Sequence, residues 1–334
     1  MVISRTPFRI SFFGGGTDYP AWYEKNGLGS VLSASINKYC YISARFLPPF
    51  FKYKHRIVYS QQELVNKIDE IKHPSVRETL RFSNLNRGVE IHHNGDLPAM
   101  SGLGSSSAFT VGLINALSGL KGEMKTKRQL ALDAIHVEQN LIKENVGSQD
   151  QAIAAFGGLN RIDFGGLQKI AVYPMIMKPE RTAEFQSHLM LFFTDFSRKA
   201  SRVAKDWIKN TNQNKNDFNA MLRMVDEGIN ILNSNCDIGE FGKLLHQSWQ
   251  IKRCLAKGIT NPKIDKIYDT GKKAGALGGK LLGAGGGGFM LFFARPKDQP
   301  RIKEKLKKFL HVPFRIDTHG SQIVYYSPHT DPDL

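Results

Sequence analysis

Cysteine is scarce: Cys40, Cys236 and Cys254 are the only three in 334 residues, odd in number and far apart. That argues against a disulfide framework or a zinc site and points to a reducing compartment, the cytoplasm. Long apolar runs are missing as well. The longest, Leu189–Phe193 and Phe289–Ala294, fall far short of the roughly 20 residues that a membrane-crossing helix needs. The opening MVISRTPFRISFF carries arginines inside its apolar stretch and no small-residue cleavage site, so it does not read as a signal peptide. Acidic residues are outnumbered, 30 Asp and Glu against 46 Lys and Arg, for a formal charge of +16. Such a surplus suits polyanions: nucleic acid, an anionic membrane or phosphorylated small molecules. No run of aromatics interleaved with basic residues offers a nucleic-acid platform. The lysines of RPKDQPRIKEKLKKFL surround a predicted helix whose Ile302, Leu306 and Phe309–Leu310 face the core, and read as a solvated basic face.

Familiar nucleotide signatures are absent or misleading. No GxxxxGK[ST] occurs, so there is no P-loop. Asp163-Phe164-Gly165 spells DFG, but no HRD loop accompanies it, which leaves a protein kinase unsupported. Gly283, Gly285 and Gly288 satisfy GxGxxG but lead into the strand-like FMLFF rather than a helix, the wrong context for a dinucleotide fold.

What is present suits a two-domain protein. The 41% hydrophobic content is ordinary for a globular chain, and the length accommodates two cores. Phe8, Ile10 and Phe12 alternate with Arg9 and Ser11 as in a strand, which ends in the glycine-rich turn GGGTDYP. INKYCYISARF, HRIVYS and VEIHHNG also read as strands, as do the segments Leu159–Phe164, Ile170–Tyr173, HLMLFFTD and QIVYYS. Helices are predicted over 61–81, 127–145, 198–209, 219–233, 238–256 and 262–274. The pattern changes after Pro179, which divides the chain into residues 1–185 and 186–334; without a low-complexity linker, the halves are expected to pack around a shared cleft.

Three stretches carry chemistry. In GLGSSSA, Gly102 and Gly104 let backbone approach a ligand, and Ser105–Ser107 stand where a helix starts. The free amides and positive dipole end there form an anion site. One serine could simply cap the helix, but a cap needs neither three serines nor two preceding glycines, so phosphate is favoured. Glu138 falls three or four residues from Ala134, Ile135, Leu141 and Ile142, within the apolar stripe of its helix. An interior carboxylate needs an Arg or Lys partner or a metal, and Mg²⁺ suits one beside a phosphate turn. Asp150, in GSQDQAIAAFGG, is either a dipole-friendly N-terminal residue or a catalytic carboxylate partnered by Arg9.

Together these stretches resemble the GHMP kinases. TPFRISFFGGGTDY is similar to the family's N-terminal motif, LPAMSGLGSSSA to its ATP-phosphate loop, and GGKLLGAGGGGF to its C-terminal glycine-rich motif, in the family's order and with GSQDQ between the last two. The resemblance implies an α+β fold with an N-terminal α/β domain and a ferredoxin-like C-terminal domain. It implies ATP and Mg²⁺ as cofactors, Asp150 as catalytic base and Arg9 beside the transferred phosphoryl group. Gly102, Leu103, Gly104, Ser105, Ser106 and Ser107 would wrap the ATP phosphates, and Ser106 and Glu138 would hold Mg²⁺. Gly15, Gly16, Thr17, Asp18, Gly285 and Gly286 would contact the acceptor. Joint retention of Arg9, Ser106, Glu138 and Asp150 speaks against a non-catalytic relative. Galactokinases carry Glu and His where this chain has Gly15 and Gly16. The GGGTDYP form and KGITNPKIDKIYDTGKKAGALGGKLLGAGGGG are most similar to bacterial kinases of D-glycero-D-manno-heptose 7-phosphate, which supply nucleotide-activated heptose for surface polysaccharide; fucokinase-type enzymes share parts of the pattern. The expected partners are therefore ATP and a small sugar phosphate, neither nucleic acid nor membrane.

Overall fold

The computed structural model describes residues 1–85, 87–99, 101–166, 169–194 and 214–327. The helix predicted over 198–209 lies outside the described residues.

Two sheets organise the chain. The larger has eight strands and is centred on β1 (Val2–Phe13) and the 18-residue β2 (Gly29–Phe46), which pair antiparallel over nearly their whole length. The long β2 serves two neighbours on its far edge. Its first half pairs with β6 (Leu159–Phe164) and its second half with β5 (Val89–Gly95). β3 (His55–Val58) and β4 (Gln62–Val65) continue beyond β5, and β7 (Ile170–Pro174) continues beyond β6. The register of β1 against β2 shifts between Pro7 and Phe8 and again between Ser11 and Phe13, and such bulges re-aim side chains. Arg9 lies between those shifts.

The smaller sheet holds β8 (Leu189–Phe193), β9 (Gly278–Leu281), β10 (Phe289–Phe293) and β11 (Leu310–His311) in the order β11-β8-β10-β9. All its pairings are antiparallel. Taken in chain order its strands lie 4-1-3-2, the ferredoxin-like arrangement expected from the resemblance. Helices Lys215–Asn233, Gly239–Cys254 and Pro262–Lys273 connect β8 to β9. The chain then returns: β12 (Gln322–Tyr326) pairs with β1 at the edge of the larger sheet. The expected second unit, residues 186–334, thus gives its last strand to the first sheet.

Five helices of the first half matter for the site: α1 (Pro20–Asn26), α2 (Pro74–Ser83), α3 (Ser105–Leu120), α4 (Lys127–Ile135) and α5 (Gln149–Phe156). α3 is apolar nearly all round and is buried from Ser107 to Ser118, as a central helix must be. The helix predicted over 61–81 is not one element. Gln62–Val65 pairs with β3 instead, and α2 starts only at Pro74, whose missing N–H and fixed φ suit a first helical position. The buried Glu63 carboxylate accepts from the amides of Lys72 and His73 just before it. The helix predicted over 127–145 changes at His136 into a π-helical turn, His136–Leu141, and ends there. The helices predicted over 219–233, 238–256 and 262–274 shift only at their ends, to 215–233, 239–254 and 262–273. The predicted basic helix covers only Gln299–Lys305, and Leu310, expected to face the core, is exposed in β11. No helix among the described residues is long and apolar enough to cross a membrane.

An aromatic cluster joins the halves. Phe12 of β1 meets Phe185 and Phe241 edge-on at 5.4 and 5.5 Å between centroids. Phe13 meets Phe241 at 5.0 Å, and Phe241 reaches Phe293 of β10 at 5.4 Å. All five rings are fully buried, so the strand that carries Arg9 is clamped onto the ferredoxin-like half by packing that no water relieves. Phe12→Ala is expected to cost about 3–5 kcal/mol, read as a lower denaturant midpoint with one cooperative transition for the whole chain.

Candidate active site

β1, the turn that follows it, the α3 and α5 N-termini and the 280–284 segment converge on a cavity of about 1010 Å³. Arg9 is the hub. Its Nε and Nη2 donate to the two carboxylate oxygens of Asp150 at 2.7 Å each, and its Nη1 donates to the carbonyl of Gly102 at 2.6 Å. The pair is a bidentate fork, with Arg9 buried and Asp150 half-buried in the first turn of α5.

The serine-rich turn resolves one alternative left by the sequence. The N-cap of α3 is Gly104, held at φ 73°, with no side-chain cap. Ser105, Ser106 and Ser107 occupy the first helical positions, so none of them is the cap. Their amides precede the first intrahelical acceptor, the Gly104 carbonyl, which takes the N–H of Ala108. The helix start therefore presents donors and its positive dipole end to the cavity. A Cβ on Gly104 would sit 3.0 Å from Arg9 Cγ and 3.3 Å from an Asp150 oxygen; glycine lets the helix start press against the ion pair. The two glycine motifs also meet directly: a Cβ on Gly283 would lie 2.6 Å from the Cα of Gly102.

Asp18 joins the turn after β1 to α5. Its carboxylate accepts from the amides of Gly16 at 2.8 Å and Gln149 at 3.4 Å. Burial pushes its pKa up to about 6, with the Asp150 charge a smaller push in the same direction and the two amides opposing. Glu138 lies in the π turn, and π turns recur at functional sites. It is fully buried, accepts from Ser107 Oγ at 2.8 Å and from Gln151, and leaves its Oε1 without a partner among the described residues. Burial raises its pKa to about 7, against the pull of those bonds. Of the two readings left for Glu138, an ion-pair partner is not found among the described residues. An orphaned carboxylate oxygen behind a phosphate-type helix start suits a hard cation, which would hold the group ionised. No cluster of three or more His, Cys, Asp or Glu side chains that could hold a metal by itself is found among the described residues.

The structure sorts the predicted residues. Arg9, Gly15, Gly16, Asp18, Gly102, Gly104, Ser105, Ser106, Ser107 and Asp150 line the cavity. Thr17 does not: it is buried, and its hydroxyl donates to the carbonyls of Gly14 and Ser30 to close the turn. Leu103 is in the core and gives only its carbonyl, to the Arg9 amide. Gly285 and Gly286 pack on Ile259, which places Gly283 and Ala284 at the cavity wall instead. Ser106 is exposed, and the serine that meets Glu138 is Ser107.

Sequence reasoning missed two cations and an aromatic end. Lys252, from helix Gly239–Cys254, and Lys280, from β9, line the cavity. Lys280 is a lone cation inside an apolar strand sequence, a signal that could have found it; Lys252 has none. At the other end, His73 stacks on Phe109 at 4.8 Å, with Tyr59 and His93 edge-on to them. Burial lowers the pKa of both histidines, so neutral imidazoles and a phenyl ring form a wall suited to a flat base.

Residues 70–158 match the family description "GHMP kinases N terminal domain" and residues 232–312 match "GHMP kinases C terminal". The chain is 27% identical over 316 residues to a D-glycero-alpha-D-manno-heptose 7-phosphate kinase of Campylobacter jejuni, covering 91% of this chain and 93% of that one. It is 26% identical over 236 residues to a mevalonate kinase of Methanocaldococcus jannaschii, covering 70% and 71% of the two chains. The fold matches the crystal structure of a D-glycero-D-manno-heptose 1-phosphate kinase from Bacteroides thetaiotaomicron with a TM-score of 0.72 at 23% identity, over 98% of this chain and 100% of that one.

The Glu138 environment has a pH signature. Its folded pKa lies above its unfolded value, so the folded state holds the proton longer, and stability falls as pH rises from about 4.5 to about 7. Asp18 acts in the same direction, so the comparison must be with a variant. Glu138→Gln is expected to gain up to about 3 kcal/mol relative to the parent between pH 5 and pH 8, measured by thermal melts without divalent cation. Parallel melting curves across that range would contradict the buried-acid assignment.

Proposed function

Because the chain belongs to the GHMP kinases and is thereby an ATP-dependent phosphotransferase, we propose that it phosphorylates the anomeric hydroxyl of D-glycero-D-manno-heptose 7-phosphate to the 1,7-bisphosphate. The observation that carries the reaction is the Arg9–Asp150 fork standing between the α3 helix start and the Asp18 turn in one cavity. The acceptor rests on the similarity to the heptose 7-phosphate kinase over nearly the full length of both chains.

The side chains divide the work as phosphoryl transfer requires, by positioning and charge neutralisation. The amides that open α3 receive the ATP phosphates, and the neutral aromatic end takes the base. Asp150 has about four lone-pair sites, of which Arg9 occupies two. The others can accept the acceptor hydroxyl and then its proton as the oxygen bonds to the γ-phosphorus. The bond from that phosphorus to the β–γ bridging oxygen breaks, and ADP leaves with the electron pair. Arg9 faces the charge that develops on the transferred group. Asp18, Gly15 and Gly16 offer a carboxylate and open backbone to the sugar. Glu138, with Ser106 and Ser107 at the helix start, would hold Mg²⁺, which neutralises phosphate charge when bound.

Asp150→Asn keeps the volume but removes the base, and is expected to lower kcat by about 10²–10⁴ while ATP affinity, measured by calorimetry, stays within about twofold; near-normal kcat would sink the assignment. For the acceptor, kcat/KM is compared for heptose 7-phosphate, heptose, mannose and fucose, and the new phosphate is located by NMR. Heptose 7-phosphate is expected to lead by at least about 10², with phosphate on the anomeric carbon. A free sugar as best acceptor would remove the heptose assignment and leave the phosphotransferase.

A further inference from the structure

Three cationic side chains line the cavity among the described residues: Arg9, Lys252 and Lys280. Arg9 is neutralised by both oxygens of Asp150. The two lysines make no ion pair among the described residues. Lys252 Nζ donates to the carbonyls of Leu281 and Gly283, and Lys280 Nζ donates to the carbonyl of Phe12 at 2.7 Å. An ammonium has three donors, so these carbonyls leave one position on Lys252 and two on Lys280 for something else. Lys280 is 2% exposed. A buried cation that meets only neutral acceptors is costly, and two of them on one wall repel. Burial, then Arg9, brings the Lys252 pKa down to about 7; burial, then Lys252, drives Lys280 well below the ordinary lysine range.

We propose that Lys252 and Lys280 form a second phosphate subsite of the cavity, which grips the phosphate carried by the acceptor. This rests on the function proposed above. The α3 amides already provide one anion site, and the lysines come from other elements, helix Gly239–Cys254 and β9. Lys280 is tied to Phe12, two residues before the glycine turn that brings Gly15, Gly16 and Asp18 to the cavity. Asp18 and Asp150, the carboxylates assigned to the sugar and its hydroxyl, act on the Lys252 ammonium and favour its charged form. A phosphate dianion supplies the acceptors and the charge that both ammonium groups lack. An unphosphorylated sugar supplies neither, so the pair selects for a phosphorylated acceptor and converts a remote contact into orientation of the reacting hydroxyl. Because Lys252 is largely neutral above pH 7 in the free protein, a dianion bound at pH 8 brings proton uptake with it.

The test uses the whole chain saturated with a non-hydrolysable ATP analogue, with inorganic phosphate as probe. Calorimetry at pH 8 in two buffers of different ionisation enthalpy is expected to show one further phosphate bound with proton uptake. Lys252→Gln and Lys280→Met should each weaken that binding at least about tenfold, leave nucleotide affinity within about twofold, and raise the KM for heptose 7-phosphate more than they lower kcat. If Lys280→Met does not fold, Lys252→Gln, at a half-buried helix position, decides alone. Loss of nucleotide affinity with phosphate binding unchanged would assign the lysines to ATP and overturn the proposal. Unchanged phosphate binding and unchanged KM would overturn it as well, with the heptose assignment intact. A parent protein that binds phosphate in this way yet prefers another phosphorylated sugar would overturn the heptose assignment and keep the subsite, whereas preference for a free sugar would overturn both.

Discussion

One guanidinium holds the site together. Arg9 reaches Asp150 at the start of α5 through two bonds and the Gly102 carbonyl through a third, while its own amide donates to Leu103. Strand, glycine loop and helix therefore share one buried anchor. The geometry needs a planar fork; a lysine could supply the charge but not the coplanar bidentate pairing with both Asp150 oxygens. The bulges that flank Arg9 in β1 and the absence of a Cβ at Gly104 both serve this contact.

Around that anchor the site is built against its own stability. Glu138, Asp18 and Lys280 are buried with incomplete or unbalanced partners, and burial displaces the pKa of each toward its neutral form. Ordinary cores avoid such groups. Here Asp18 and Lys280 line one cavity and Glu138 lies behind it at the α3 start, and the aromatic cluster of Phe12, Phe13, Phe185, Phe241 and Phe293 supplies apolar packing immediately behind the strand that carries Arg9. Proteins break local rules at functional sites and compensate elsewhere.

The basic surplus that stands out in the composition is only partly about the site. Of 46 Lys and Arg residues, three line the cavity among the described residues. Many others sit in surface ion pairs such as Lys243–Glu240 and Lys307–Glu304, which contribute little individually. Local placement in a low-dielectric wall, rather than net charge, gives Lys252 and Lys280 their leverage.

By itself the sequence determined the helix start at Ser105, because glycine followed by serines at a helix boundary is a local property of consecutive residues. It also determined the interior position of Glu138 through periodicity, and the resemblance of its motifs implied the ferredoxin-like second half. Local pattern failed over 61–81, where β4 forms only because β3 lies beside it and Glu63 finds the amides of Lys72 and His73. It could not tell Ser106 from Ser107 as the partner of Glu138, since that depends on a π turn in another helix. Nor could it assign Thr17, Gly285 and Gly286 to turn closure and packing, or bring Lys252 and Lys280 to one wall from separate elements of the second half. Those outcomes belong to the tertiary structure alone, because they are set by contacts between residues far apart in the chain, where burial and approach distance, rather than residue type, decide what each group meets.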